Sequence, residues 1–502
     1  MSGSDQPPAG HSRAELRKAT LAGIRWITLS RVVAELFTLT ASVALARLIV
    51  PAEFGRGAVA LIVAAIAGVV MSQGIGAALV QMRSAERSDL QSATLLALLM
   101  GVVLTAVTFV VGRYAVPPVL GDRIGALIEL SSLTFLLAAP GAVSQARLQR
   151  ELQFRRVAAV QVAPMVCGTI ASVVLAATID ANAEALVAGA LVSAGLGSIM
   201  AMAYVPFTAP RWHRAAAARI ASFGIHSGLA TLAYTVFRQV DYVILAGRMS
   251  AGDVGLYWRA YQLGVEYQTK ITTVMLRVTF PIFSRTASRK DMRAIRTRVV
   301  RLHAALVVPP LATFIAIAPV FIPFLYGSAW EGAVVPAQLL AIVGMGAAIV
   351  TGIGPLMLAA GKPRELMIYN LVTLAVYALA VYVMAPHGLT AVCLGVLAVQ
   401  TVNFGATHYF LLQRMLGIPV SGLWAEVAPG ACAGAALLAV TYPLVDRLSA
   451  AGVGDVLVLL AAVPVAAAIA VTVIWRLFPA AWADAMLIVG AVRPGRKPAP
   501  AS

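Results

Sequence analysis

The chain alternates between long apolar runs and short polar stretches. The runs fall at roughly 21–50, 57–81, 92–112, 124–144, 157–179, 185–206, 222–246, 254–284, 301–326, 333–360, 366–385, 388–412, 424–444 and 456–478. A helix of about 20 apolar residues crosses the ~30 Å hydrocarbon core of a bilayer. The pattern therefore predicts an all-α integral membrane protein of about fourteen transmembrane helices. The first and eighth runs carry charges. Without both the count falls to twelve, and the two chain ends still share one side.

Composition agrees with that solvent. Of 502 residues, 60% are hydrophobic and 12% charged, where a soluble domain carries about a quarter charged. The net charge of +17 would suggest nucleic acid in a soluble protein, but here basic residues first set topology. Counted over alternate loops, twenty-five Lys and Arg lie on one side, and six on the other: Arg47, Arg56, Arg113, Arg123, Arg248 and Arg447. That asymmetry places both termini in the cytoplasm and leaves no call for a nucleic-acid partner. The polar start ending in Arg17-Lys18 precedes a long apolar run and reads as an uncleaved signal anchor. Cys167, Cys393 and Cys432 lie inside apolar runs and read as small hydrophobes, neither disulfides nor metal ligands.

Charges inside the runs are the candidate chemistry, since each costs about 2.5–3.5 kcal/mol at mid-bilayer. The eighth run carries Arg259, Glu266, Lys270 and Arg277. At 100° per residue these fall within about 40° on one face. In the seventh, Ser227, Tyr234, Arg238 and Asp241 fall within about 60°. The first holds Arg25, Arg31 and Glu35, and Arg56 stands at the mouth of the second. Two readings stay open. One is a wet, cation-rich cavity of Arg25, Arg31, Arg56, Arg238, Arg259 and Lys270, suited to an anionic solute because guanidinium forks grip phosphate oxygens in pairs. In it Glu35, Asp241 and Glu266 are candidates for coupling to an ion. The other is internal pairing, Arg31 with Glu35 and Glu266 with Lys270, with Arg25 and Arg277 reaching the interface. Glu129, Glu426, His226 and His408 are weaker candidates.

Enzyme signatures are missing: no P-loop, H-E-x-x-H, G-x-S-x-G or clustered Cys/His pattern appears. The reading is a non-enzyme without cofactor or metal. The longest loop, around 285–300, reads as a basic helix on the cytoplasmic face joining two halves, or as a plain topogenic cluster.

A weak internal repeat relates the two halves. Ala46–Gly55 reads ARLIVPAEFG and Gly247–Gly255 reads GRMSAGDVG. With one gap, Arg47 matches Arg248, Glu53 matches Asp253 and Gly55 matches Gly255. Transporters are often built from such halves with the solute between them.

The first of these runs resembles the ARLLSPEDFG signature of bacterial polysaccharide exporters, the flippase branch of the multidrug/oligosaccharidyl-lipid/polysaccharide superfamily. Gln149–Arg156, Phe237–Arg248 with Val254–Tyr261, and Phe280–Ser284 resemble further motifs of that family, and Leu325–Trp330 adds a weaker one. The resemblance implies two six-helix lobes packed in a V plus two C-terminal helices. The expected layout is a tail to residue 20, lobes at 21–206 and 222–412 joined by 207–221, extra helices at 413–478 and a cytoplasmic tail at 479–502. It also implies alternating access without ATP, with a polyprenyl-diphosphate-linked oligosaccharide turned from inner to outer leaflet for capsule, exopolysaccharide or O-antigen. Membrane lipids, and polysaccharide polymerase and co-polymerase proteins, are the implied partners. Related lipid II flippases carry arginines on helices 1, 2 and 8, where Arg25, Arg31, Arg56 and Arg259 stand at similar places. The alternatives are a cation-coupled multidrug antiporter of the same superfamily and a non-transporting component of an assembly complex.

Overall fold

A computed structural model describes residues 34–82, 84–273, 289–417 and 422–492. Arg25, Arg31 and Arg277 lie outside the described residues, as do Phe280–Ser284 and the side chain of Tyr234. The described chain is helical and contains no strand. Its helices are α1 (34–48), α2 (Pro51–Gln81), α3 (Arg87–Ala115), α4 (Asp122–Arg150), α5 (Phe154–Thr178), α6 (Ala183–Tyr204), α7 (214–248), α8 (251–273), α9 (Arg289–Tyr326), α10 (Ser328–Ile349, followed after a turn by the short helix Ile353–Ala359), α11 (Pro363–His387), α12 (Leu389–Met415), α13 (Leu423–Ala450), α14 (Asp455–Leu477) and α15 (Pro479–Val492). Among the described residues eleven helices are long and apolar enough to cross a membrane. With α1, α7 and α8 they are compatible with the fourteen runs of the sequence.

Local signals place the ends. Proline opens α2 and α11, where its missing N–H costs nothing. Glu86 and Asp89 form a reciprocal capping box at the start of α3. Outward faces are apolar, as on α11, where Leu371, Val372 and Leu379 are exposed. Lipid serves as solvent for such a surface. The four prolines inside α9 are tolerated in such a setting because neighbouring helices re-satisfy the freed backbone groups.

Four wide π-turns interrupt the α-helical register, at Ser72–Gly76, Val111–Ala115, Gln262–Glu266 and Thr407–Met415. Each turns the rest of its helix by roughly one residue, or about 100°. The third falls between Arg259 and Glu266. The single charged face expected for α8 assumed a uniform helix, so it does not extend across that turn. Helix α7 is also interrupted, with Arg214–Arg238 and Val240–Arg248 joined at Gln239 (φ −116, ψ 9). Arg238 and Asp241 therefore belong to different segments, not to one stripe.

The chain divides into two compact units, Met1–Gly255 and Leu256–Ser502. In the first, α4 packs on α3 and α6, α5 on α6, and α2 on α4, while α7 lies against α2 and α3. Helix α7 is thus part of the first unit by its packing. In the second, α9 is central, lying against α10, α13, α14 and α15, with α12 between α10 and α11.

The two copies of the repeat touch inside the first unit. A Cβ on Gly55 would collide with the Ala251 carbonyl and lie 2.8 Å from Gly255 N. A Cβ on Gly255 would collide with the Pro51 carbonyl and lie 3.1 Å from Gly55 N. Only glycine lets these two helix starts cross so closely.

Two expectations change at the other end of the chain. The described part of the basic loop, 289–300, is the first three turns of α9 and runs straight into the membrane-length stretch. It is not a separate helix lying on a surface. The tail after 478 contains α15, which packs on α9 and α14.

Candidate functional site

The sequence-derived charges are found in several places. Glu35 is half-buried on α1. Arg56 lies one turn into α2 and pairs closely with Glu53. Glu53 also takes Arg123 at 3.0 Å and accepts the backbone N–H of Ala183 at 3.3 Å, at the start of α6. Arg123 lies 3.8 Å from Glu184. A carboxylate at a helix start is favoured by the exposed N–H groups there, so Glu53 joins three helices of the first unit. Asp253, its counterpart in the repeat, caps α8 instead: its Oδ2 accepts from Ser250 Oγ at 2.6 Å, and its N–H donates to that oxygen at 3.1 Å.

Asp241 is 2% exposed in the first turn after the break in α7, where the N–H of Tyr242 donates to its Oδ1 at 2.9 Å. Arg238 is half-buried just before that break. Glu266, the last residue of the π-turn of α8, is half-buried, and Lys270 beyond it is exposed.

Arg259 is 1% exposed, among the largest fully buried side chains of the protein. Its guanidinium carbon lies 4.3 Å from the ring centre of Tyr326, 4.9 Å from Trp330 and 5.2 Å from Trp258. A flat cation over aromatic faces is attracted by about 2 kcal/mol or more when desolvated. This cage joins two stretches that lie apart in the sequence, Val254–Tyr261 and Leu325–Trp330. The conformation is closed around Arg259, and its charge does not face water.

A second buried charge site has no local mark in the sequence. Arg296 of α9 donates to Glu426 Oε2 of α13 at 2.5 Å and to His408 Nε2 of α12 at 3.1 Å. Thr297 donates to Glu426 Oε1 at 2.7 Å. His408 Nδ1 lies 2.7 Å from the Phe404 carbonyl. That contact fixes Nδ1 as the donor and leaves Nε2 to accept from Arg296. Arg296, His408 and Glu426 are each 3% exposed. One turn further, Asp484 of α15 pairs with Arg298 at 2.8 Å and closely with Arg301. Glu426 and His408 rank as weaker candidates by sequence because one lies near a helix end and the other is a lone histidine. Their partner lies more than 100 residues away in the chain, so no spacing motif joins them.

A profile described as polysaccharide biosynthesis protein matches residues 44–335. The chain belongs to the polysaccharide biosynthesis protein family. This family member is 24% identical over 421 residues to the lipopolysaccharide biosynthesis protein WzxC of Escherichia coli K12, covering 80% of this chain and 82% of the relative. It is 24% identical over 409 residues to a membrane protein of the cps region of Klebsiella pneumoniae, covering 80% and 84%. To the teichuronic acid biosynthesis protein TuaB of Bacillus subtilis it is 23% identical over 399 residues, covering 78% and 81%. Among solved structures, the lipid II flippase MurJ in an inward closed conformation shares the fold at a TM-score of 0.68 and 12% identity, covering 94% of this chain and all of the other. An inward-facing multidrug resistance transporter of the MATE family shares it at 0.59 and 13% identity, covering 80% and 98%.

Proposed function

We propose that this chain is a flippase that carries a polyprenyl-diphosphate-linked oligosaccharide from the inner to the outer leaflet for surface polysaccharide export. One observation carries the reading: a member of a polysaccharide biosynthesis family has the fold of a lipid II flippase along nearly its whole length. The contribution of such a chain to polysaccharide synthesis is transport and not catalysis. Relatives named for lipopolysaccharide and teichuronic acid biosynthesis support a glycan substrate, and the basic residues suit a diphosphate.

In this reading the protein sits in the bacterial inner membrane with both termini in the cytoplasm. Arg25, Arg31, Arg56, Arg238 and Lys270 are the candidate diphosphate ligands, and Glu35, Asp241 and Glu266 the candidate ion-coupled groups. Arg259 meets substrate only in a state in which Tyr326 and Trp330 part from it; in the closed state the cage stores its charge. Polysaccharide polymerase and co-polymerase proteins are the expected consumers of the flipped glycan. The multidrug antiporter reading shares the fold alone.

The test is a leaflet assay in cells lacking this gene. Lipid-linked oligosaccharide accumulates where an impermeant outside probe cannot label it, and the intact gene restores labelling. Normal outer labelling in the deletion strain, with no second flippase present, overturns the proposal.

A further inference from the structure

The first unit contains a cavity of about 270 Å³ between α4, α5 and α6. Among the described residues no charged side chain lines it. Its polar lining is Gln145, Gln161, Ser193 and Ser198, each able to donate and accept hydrogen bonds without carrying charge. Ser198 is the informative member. It is 6% exposed, and its Oγ has no hydrogen-bond partner among the described residues. Gly141 faces it across the cavity wall, and a Cβ there would lie 2.7 Å from that oxygen. A buried hydroxyl without a partner costs stability, and one lining a cavity is satisfied by whatever enters.

Position narrows the occupant. Gln145 lies five residues inside the Arg150 end of α4, Gln161 seven residues beyond Phe154 on α5, and Ser198 six before Tyr204 on α6. At 1.5 Å per residue these groups lie about 8–10 Å below the helix ends. Those ends carry Arg147, Arg150, Arg155 and Arg156, and the Arg156 guanidinium stands 5.5 Å from the Tyr204 ring centre. A neutral cavity beneath a cationic rim suits a molecule with an anionic group next to a neutral polyhydroxyl group. The volume is just below the usual range of ligand sites and suits one sugar ring.

The geometry points to a subsite for one sugar ring of a lipid-linked glycan, bound through Gln145, Gln161 and Ser198 while its diphosphate meets the arginine rim, a first position that the diphosphate leaves for the candidate ligands named above as the lipid crosses. This rests on the flippase reading and adds a sugar-reading pocket within the first unit alone. The glycerol of an abundant phospholipid offers the same hydroxyl chemistry, and the experiment separates the two sources.

The full-length protein is placed in phosphatidylcholine nanodiscs. Its affinity is measured for polyprenyl diphosphate and for the same lipid bearing one N-acetylhexosamine. The sugar is expected to tighten binding about tenfold, the effect of one or two net hydrogen bonds. Gln145→Ala with Gln161→Ala, and separately Ser198→Ala, are expected to abolish that gain and leave affinity for the bare diphosphate unchanged. Ser198→Ala removes an unsatisfied oxygen, so its thermal stability is expected to hold or rise, which separates a binding role from a structural one. A gain that survives all variants, or no gain in the unaltered protein, overturns the subsite and leaves the flippase reading standing. A gain abolished by phosphatidylglycerol in the nanodisc assigns the cavity to bulk lipid and overturns it too. Binding of neither probe, together with normal export in the deletion strain, overturns the flippase reading itself.

Discussion

Gly55 and Gly255 occupy matching positions of the internal repeat and press against each other, each excluding a side chain by the carbonyl four residues before the other. The contact is reciprocal between the starts of α2 and α8. The weak sequence match at 46–55 and 247–255 is thereby also a spatial relation.

The glycine pair should behave as one unit. Gly55→Ala and Gly255→Ala are each expected to lower thermal stability, because the methyl meets backbone and not a movable side chain. The double variant is expected to lose less than the sum, with a coupling of about 0.5–3 kcal/mol. Thermal unfolding of the four proteins in detergent measures it, and strict additivity would show that the helix starts do not constrain each other.

Arg259 should not tolerate lysine. A compact ammonium lacks the flat face that stacks on Tyr326 and Trp330. Arg259→Lys is expected to destabilise by about 1–2 kcal/mol, and Arg259→Ala by more, since it also leaves a void. Tyr326→Phe keeps a ring face but loses the phenol oxygen that accepts from the guanidinium, and is expected to destabilise by less than Arg259→Ala. Melting curves beside export assays test this order.

Removing Glu426 should be severe. Glu426→Gln leaves the buried Arg296 without a counter-charge, which costs about 3–5 kcal/mol. Replacing Arg296 and Glu426 together by leucine is expected to recover much of that loss, because an apolar pair needs no compensation. Recovery in the double variant, read by thermal unfolding and abundance, distinguishes a charge effect from general damage to packing.

Arg56 and Glu53 separate function from scaffold. The Arg56 pair is partly exposed, and such pairs contribute about 0–1 kcal/mol. Arg56→Ala is expected to leave abundance intact while reducing export. Glu53→Ala removes the partner of two arginines and of the Ala183 N–H, and is expected to lower abundance. Wild-type export by Arg56→Ala would remove that residue from the substrate path.

Much of the fold was legible because each span must be about as long as the membrane is thick. Hydropathy alone therefore located the helices within a few residues. The ends were less legible: the described part of α9 is already helical at Arg289, ahead of 301, because these turns are basic and paired instead of apolar. Angular arguments failed at the π-turn after Tyr261 and at the break at Gln239, since neither leaves a mark in a period-3.6 count. The environment of Arg259 depended on Tyr326 and Trp330, over 60 residues away, and that of Arg296 on a glutamate 130 residues away. Long-range partners of this kind are set by packing and not by spacing.

The pairing of α9 with α13 and α15 also sets an order of assembly. Arg296 precedes Glu426 by 130 residues, and Arg301 precedes Asp484 by 183. At about 5–20 residues per second, α9 leaves the ribosome roughly 6–26 s before Glu426 emerges. Throughout that interval the carboxylates that pair with Arg296, Arg298 and Arg301 in the folded protein are not yet made. The last helices made are thus the ones that bring the partners for the basic end of α9.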